Sequence, residues 1–190
     1  MANIGAHRMP ATAAAAAQAG QYTPATAQGG TGAHVDFYLK IDGIEGESED
    51  SKHAKEIEVL SWSWGESQSG TFASGGGGGG GKVAMNDFNF LALTSKASPK
   101  LILACAEGQH IKSAVFSARK AGGGQQDYLK ITMSDIIVSS YSVSAGSEIP
   151  TEGVSLNFAK IEVEYKPQKK DGSLDAPVKI GYDLKKNAKV

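Results

Sequence analysis

The sequence predicts a mainly β protein with one flanking helix, in a closed or sandwich-like arrangement of strands. Two long strands, joined by a polar connection over residues 144–153, lie within residues 128–166, and both alternate apolar with polar residues. Several shorter alternating segments surround them, whereas only one segment carries the signals of a helix. Many strands at short spacing with a single helix favour a barrel or a sandwich.

The apolar side of each long strand changes partway along it. From 154 to 158 the even-numbered residues are apolar, and from 161 to 165 the odd-numbered residues are. A one-residue shift moves side chains to the other face of a sheet, so we expect a bulge or sharp coil near 159–160. The first strand is interrupted similarly at Ser134–Asp135. Strands that change face midway suit a curled, barrel-like sheet.

Length and composition restrict the possible classes of protein. The chain has 190 residues, 41% of them hydrophobic, which is enough for one domain with a single core. A net charge of −1 argues against electrostatic binding of nucleic acid or membranes. The single cysteine, Cys105, allows neither an internal disulfide nor a cysteine metal cluster. No apolar run approaches the length of a membrane span.

Residues 1–32 are predicted to be a disordered extension rich in Ala, Gly and Gln, and residues 33–190 the folded domain. The extension is too poor in large apolar residues to offset its ordering entropy. An inert extension is favoured over a functional tail. The alanine run after Arg8 lacks the larger apolar residues of a signal peptide. We therefore expect any export to be signal-independent.

The first two strands are predicted over 34–42 and 56–65, with an acidic, solvated loop over 43–55 between them. In the second strand Leu60, Trp62 and Trp64 share one face, which we expect to pack in the core. Ser61 and Ser63 then lie on the opposite face, towards solvent or the wall of a cavity.

The helix is predicted to begin with Ser98 as its cap and Pro99 in its first turn, and to end at Gly108. Leu101, Ile102, Ala104 and Cys105 form its apolar stripe. The remaining predicted elements are a loop over 66–81 that ends in the glycine run 75–81, strands over 82–90 and 114–120, a glycine-rich turn over 121–126, a polar loop over 168–177 and a last strand over 178–184.

The glycine run resembles a phosphate-binding loop only superficially. Gly76, Gly81 and Lys82 fit the spacing G-x-x-x-x-G-K, but Val83 replaces the Ser or Thr that would bind magnesium. A strand is predicted next, not the helix whose N-terminus would hold phosphate. A flexible connector is therefore the better interpretation.

No catalytic, cofactor or metal site is predicted. The four histidines do not have the spacing of metal ligands; His53, beside Glu49 and Asp50, is expected to be solvated rather than to bind a cation. Cys105 is expected to be a buried, inert thiol, because no activating group is placed beside it. No pair of carboxylates lies on a recognisable catalytic framework. A carbohydrate-binding module, with Trp62 and Trp64 as stacking platform, remains the alternative function, although core packing of both rings is favoured.

Several stretches, taken together and in unbroken order from about residue 33 to 190, resemble the Hcp (haemolysin-coregulated protein) family of bacterial type VI secretion. They are residues 40–41 with 46–48, the sequence L-S-W-S-W-G at 60–65, the glycine run with Lys82 and Val83, residues 98–100 with 103–105, and residues 119–123, 128–131, 154–160 and 165–168.

The resemblance implies a compact β-barrel of two sheets with one flanking α-helix, and a structural role instead of an enzymatic one. It implies homo-hexameric rings with a wide channel, stacked into a tube inside a contractile sheath. The tube, with a spike protein at its tip, would assemble in the bacterial cytoplasm and be secreted with the effectors that it carries.

The resemblance also assigns roles to individual residues. Ser63, between the two tryptophans, is implied to face the channel and contact cargo, and Ser61 lies on the same predicted face. The loop that holds Gly122 is implied to meet the region of Lys185 of the next ring when rings stack.

Overall fold

The structure is a computed structural model that describes residues 35–68, 82–120, 125–147 and 149–190. The predicted extension 1–32, the glycine run 75–81 and Gly122 lie outside these residues. Ten strands and the helix α1 (Ser98–Glu107) make up the described part. The strands are β1 (Val35–Ile41), β2 (Ile57–Ser63), β3 (Glu66–Ser67), β4 (Ala84–Met85), β5 (Phe88–Leu93), β6 (Ile111–Lys120), β7 (Asp127–Ser144), β8 (Thr151–Tyr165), β9 (Val178–Asp183) and β10 (Ala188–Lys189).

Six of the strands close into a barrel. They pair in the order β7-β8-β5-β2-β1-β6, and β6 returns to β7. On the other side of β8 the sheet continues into β9 and β10, while β3 and β4 form a separate two-stranded sheet. The mainly β class, the barrel and the single helix of the described chain are therefore confirmed. The main sheet is one continuous surface, and the second sheet is small.

The barrel is filled by large apolar side chains from alternate positions of its strands. Phe88, Phe90, Phe116 and Leu156 are almost fully buried, as the period-two alternation requires. The helix α1 packs on β7 and buries Leu101 and Ala104.

Two details of the helix prediction were wrong. Ala97, not Ser98, stands at the N-terminal boundary, and no side chain caps it there. Ser98 is instead the first helical residue, and its hydroxyl accepts a hydrogen bond from the Ser95 N–H at 2.9 Å. Ile102, assigned to the apolar stripe, is 48% exposed. Gly108 ends the helix in the left-handed region at φ 60°, as expected.

Strand β2 carries a bulge that the alternation did not predict. Its register against β5 shifts between Val59 and Ser61, which leaves Leu60 53% exposed. Leu60 therefore does not share the core face with Trp62, and that prediction was wrong. The extra residue brings Val59 and Trp62 to the same side of the sheet, since a bulge offsets the alternation by one.

The apolar side chains of the long strands β7 and β8 change from one face to the other at the same level. The bulge expected near 159–160 is absent there, because the register of the two strands does not shift. Pairs Ser134↔Lys160 and Ile136↔Phe158 keep one register across this level. Between them Asp135 adopts a left-handed φ of 55°, a conformation that aspartate tolerates better than most residues. The register shift lies further along β7, between Val138 and Ser140.

The loop between β1 and β2 is packed against the barrel and is not a solvated connector. Ile44, Ser48 and His53 are buried, and the N–H of Gly46 donates to the carbonyl of Lys55 at 2.7 Å. The solvated loop predicted from its acidic composition was thus wrong.

We expect Gly46→Ala to lower the free energy of unfolding by about 1–3 kcal/mol, because overpacking forces the backbone to shift. A Cβ at this position would lie 2.3 Å from the carbonyl oxygen of Glu56. Urea denaturation measures the change. Gly146→Ala is the matched control, since a Cβ there meets nothing within 4 Å; equal stability losses in both variants would contradict the close packing at Gly46.

Candidate functional site

The outer face of the barrel carries an uncharged polar surface, which we name the serine wall. Four strands contribute two cross-strand rows to it. The first row is Ser63, Asn89, Ser155 and Ser140, and the second is Ser61, Leu91, Gly153 and Ser142. Together they line a shallow depression of about 330 Å³.

Both predicted serines lie on this wall. Ser61 and Ser63 are exposed, because the bulge at Leu60 turns the tryptophans inwards and the serines outwards. The prediction that Ser61 and Ser63 lie on the face opposite the tryptophans therefore agrees with the structure. A second bulge, between Val138 and Ser140, places the end of β7 in the same two rows.

Hydroxyl and amide groups of the wall bind one another and leave further donors and acceptors at the surface. Ser155 Oγ donates to Asn89 Oδ1 at 2.6 Å, and Ser142 Oγ to the carbonyl of Gly153 at 3.2 Å. At the lower border Asp87 accepts hydrogen bonds from Asn157 Nδ2 at 2.7 Å and from Ser139 Oγ. Such groups donate and accept without carrying charge, so the wall can form weak contacts with many protein surfaces.

Sequence reasoning missed most of the wall. Asn89, Ser140, Ser142 and Ser155 join it only through cross-strand register. Residues two apart on a strand share a face, so the spacing of the serines along β7 and β8 could have indicated which of them point outwards. The bulge in β7 had to be known, however, before Ser140 and Ser142 could be aligned with Ser155.

The two tryptophans are part of the core packing and do not form a sugar-stacking platform. Trp62 stacks on Phe88 with ring centroids 5.7 Å apart and contacts Phe116 at 4.7 Å. Trp64 packs beside Phe158 at 6.5 Å. Core packing was the favoured interpretation, and these contacts argue against the carbohydrate-binding alternative, which needs exposed ring faces.

His53 belongs to the loop that joins β1 and β2, and its side chain lies in a buried polar cluster between this loop and the barrel. Its Nδ1 lies 2.8 Å from Glu56 Oε2, and its Nε2 lies 3.0 Å from Asp127 Oδ1. Its ring stacks on Tyr38 with centroids 4.3 Å apart. The prediction that His53 is solvated was wrong, because the loop folds back over β1 and β6. The described residues contain no group of three or more His, Cys, Asp or Glu side chains that could hold a metal ion.

The same cluster contains an ion pair between Arg119 and Asp50. Arg119 Nη1 donates to Asp50 Oδ1 at 2.9 Å, and Nη2 donates to Oδ2. The hydrogen bond from Arg119 holds the pKa of Asp50 well below its usual range and raises the pKa of Arg119. Burial raises the pKa of Tyr38, whose ring lies 5.3 Å from the guanidinium carbon. The cluster fastens the loop to the barrel and is a structural feature.

Lys185 is the other residue that the resemblance implies in stacking. It lies on the surface and pairs with Asp135. His110 Nδ1 approaches the other oxygen of Asp135 at 3.2 Å. Cys105 is half-buried, not fully buried as predicted. The hydrogen bond from Lys185 lowers the pKa of Asp135. Lys185 lies near the end of the β6–β7 pair where Ile111 opposes Ile136, and Gly122 lies outside the described residues.

These observations define a class of mainly β proteins in which a closed barrel displays an extended, uncharged polar wall. No helix of the described chain is long and apolar enough to cross a membrane. The sequence matches the profile of the family described as "Type VI secretion system effector, Hcp" over residues 38–165.

Known proteins agree with that match. The chain is 48% identical over 157 residues to Protein hcp1 of Pseudomonas aeruginosa. The aligned region covers 80% of this chain and 97% of that protein. The crystal structure of Hcp1 from Salmonella typhimurium superposes with a TM-score of 0.69 at 39% identity, covering 82% of this chain and 99% of that one. A solved type six secretion system protein gives a TM-score of 0.78 at 30% identity, with coverage of 83% and 100%.

The chain therefore belongs to the Hcp family of type VI secretion system proteins.

Proposed function

We propose that this protein is the structural subunit of a type VI secretion inner tube. Six copies form a ring around an open channel, rings stack into a tube within a contractile sheath, and a spike protein sits at the tip. The tube assembles in the cytoplasm, leaves by a signal-independent route and carries effectors along the serine wall. The role is mechanical, without catalysis or a cofactor. The family membership carries this proposal.

The edges of the serine wall support the ring. Strand β1 reaches β2 only at residues 57–59, so residues 61–63 pair only with β5 among the described strands. Likewise β6 pairs with β7 only as far as Ile136, so the last part of β7 pairs only with β8. These outer strands run antiparallel, and the β2 edge of one copy could extend a sheet along the β7 edge of the next. Two different edges that meet in this way form a heterologous contact, which gives a closed ring when six rotations of 60° return to the first copy.

The separation of the two ends of the β6–β7 pair supports the proposed stacking. From the Arg119↔Asp127 end to the Ile111↔Ile136 end, β6 spans eight residue steps, or about 26 Å at 3.3 Å per residue. In the sequence, Gly122 comes two residues after Lys120, the last residue of β6 at the first end, and Lys185 lies near the second end. Opposite ends are what head-to-tail stacking requires.

The cargo role is tested by Ser63→Glu. A carboxylate on the β2 strand of this uncharged wall adds desolvation and repulsion against acidic cargo, so we expect effector retention by purified rings to fall about tenfold, which corresponds to about 1.4 kcal/mol. Pull-down of a co-expressed effector measures the retention. Ser67→Glu, at an exposed site on β3 that is not among the residues lining the wall, is the control. Failure of rings to form in Ser63→Glu alone would show that Ser63 faces a neighbouring copy instead of the channel.

A further inference from the structure

The second row of the serine wall contains one large apolar side chain, that of Leu91. It is 46% exposed, and it lies between Ser61 and Gly153 in the row. Because glycine has no side chain, Gly153 leaves a gap beside the leucine. We name Leu91 and the space above Gly153 the leucine notch. It lies within the depression of about 330 Å³, a volume at the small end of the range for ligand sites.

The backbone does not explain why glycine stands at residue 153. Leu91 of β5 and Ser142 of β7 both oppose Gly153 directly, and neither register shifts there. Gly153 is also not among the described glycines with a positive φ. A Cβ would lie 3.0 Å from Ser142 Oγ and 3.3 Å from Leu91 Cδ2, so these two side chains border the gap. Glycine inside a regular strand often marks a place where a ligand or another backbone approaches closely.

The depression around the notch carries no formal charge. None of the eleven residues that line it is acidic or basic. Asp87, at the lower border, accepts one hydrogen bond on each carboxylate oxygen, from Asn157 and from Ser139. A charged group brought into the depression would lose hydration without gaining a countercharge. The lining therefore selects against charged side chains.

Hydrogen-bonding groups surround this apolar centre. Ser61 and Ser142 stand at the two ends of its row, and Asn89 and Ser155 lie in the other row, two residues away along their strands. Ser142 Oγ donates to the carbonyl of Gly153 and can still accept from a main-chain N–H, because a hydroxyl oxygen has two acceptor sites. The rows are about 6.6 Å apart, which is also the spacing of side chains on one face of an extended peptide. An extended segment thus fits the wall with one side chain in the notch.

We infer that the leucine notch is a specificity site of the wall, which takes an uncharged apolar side chain of leucine or methionine size from an extended segment of the carried protein. This rests on the proposed function, because it names the part of an effector that the wall holds. Leu91 supplies the apolar contact, the gap above Gly153 receives the end of the side chain, and the serines bind the main chain beside it. Each contact is weak, but a ring repeats the notch and so multiplies weak contacts.

Thiol–disulfide exchange with small probes tests the notch in the full chain. In a Cys105→Ser background, Ser142→Cys places a thiol at the border of the notch, capped as a mixed disulfide with 2-mercaptoethanol. Four probe thiols exchange with this cap at equilibrium: 3-methylbutanethiol, cationic cysteamine, anionic 2-mercaptoethanesulfonate and 1-thioglucose. Mass spectrometry measures the bound fraction of each. Ser67→Cys in the same background is the control, because it is exposed on β3 and is not among the lining residues.

Relative to that control, we expect the 3-methylbutyl probe to be retained at least about fivefold more than either charged probe, because only its apolar chain gains contact with Leu91. Leu91→Ser should abolish this preference, and Leu91→Met should keep it. Rings of Leu91→Ser should also retain about fivefold less of a co-expressed effector than rings of Leu91→Met.

Three results would overturn the notch while leaving ring formation intact. They are equal retention of all probes, a preference that survives Leu91→Ser, and a Ser142→Cys thiol that no probe reaches in assembled rings, which would mean that a neighbouring copy covers it. Preferred retention of 1-thioglucose would replace the peptide segment with a carbohydrate. A parent chain that forms no ring under the electron microscope would remove the proposed function, and the cargo role of the notch with it.

Discussion

Arg119→Met is expected to lower the free energy of unfolding by about 3–5 kcal/mol, because it leaves a partly buried carboxylate without its countercharge. The Arg119 side chain is 1% exposed and that of Asp50 is 16% exposed. Methionine preserves most of the packing volume, so the loss would reflect the charge and not a cavity. Urea denaturation at neutral pH and fixed subunit concentration measures the change, since assembly makes apparent stability concentration-dependent.

The double variant Arg119→Met with Asp50→Asn distinguishes the contribution of the ion pair from the cost of leaving one charge unpaired. We expect it to recover part of the loss, because removal of both charges avoids a buried unpaired one. The pH dependence gives a second check. The pKa of Asp50 is lowered on folding, so its contribution is complete above its ordinary pKa of about 3.9 and is lost as the pH falls below it. The difference in the free energy of unfolding between the parent and Arg119→Met should therefore become smaller below about pH 4. A difference that stays constant with pH would contradict the pairing.

Trp62→Ala is the second large effect, with an expected loss of about 3–5 kcal/mol. The ring contacts three phenylalanines: Phe37 edge-on at 6.4 Å, Phe88 at 5.7 Å and Phe116 at 4.7 Å. Removing it leaves a cavity in this aromatic cluster, which the closed barrel has little freedom to fill. The shift of the urea midpoint at unchanged slope measures the loss.

Leu60→Ala is the matched control, because it truncates the neighbouring large apolar side chain of the same strand. Since Leu60 is 53% exposed, we expect its removal to cost less than about 1 kcal/mol in a preparation without stacked rings. Equal losses for Trp62→Ala and Leu60→Ala would show that β2 has no bulge. Binding of a glycan that disappears in folded Trp62→Phe would instead revive the carbohydrate-binding interpretation.

Alternation predicted β1, β2, β6, β7, β8 and β9 in outline and the outward face of Ser61 and Ser63, while proline and glycine signals predicted the helix. The single strand predicted over 82–90 is divided into β4 and β5, and β3 and β10 were not predicted. Alternation succeeds at Phe88, Phe116 and Leu156 because a strand with one buried face must alternate. It also detected that β7 and β8 change face. The chain from Ala114 to Ala118 agrees in that its even-numbered residues are buried, but Ser117 on the other face is buried too.

Three features were beyond the reach of sequence reasoning because each depends on a partner distant in the chain. The bulge at Leu60 exists only relative to β5, so a pattern along β2 could not show it. Asp135 absorbs the change of face through its backbone conformation, not through an extra residue opposite Ala159. The loop that holds His53 is rich in charged and polar residues, as a solvent-exposed loop would be. His53 is nevertheless buried, because Tyr38, Arg119 and Asp127 face it from the barrel.

We propose that the curled barrel is repeated around an axis to enclose a conduit lined by the serine wall. Electron cryomicroscopy of the purified full-length chain tests it most directly. We expect a closed ring of six copies around an open channel, with Ser61 and Ser63 of every copy on the channel wall. Monomers at every concentration, an assembly without a central opening, or a ring that buries both serines between neighbours would contradict it.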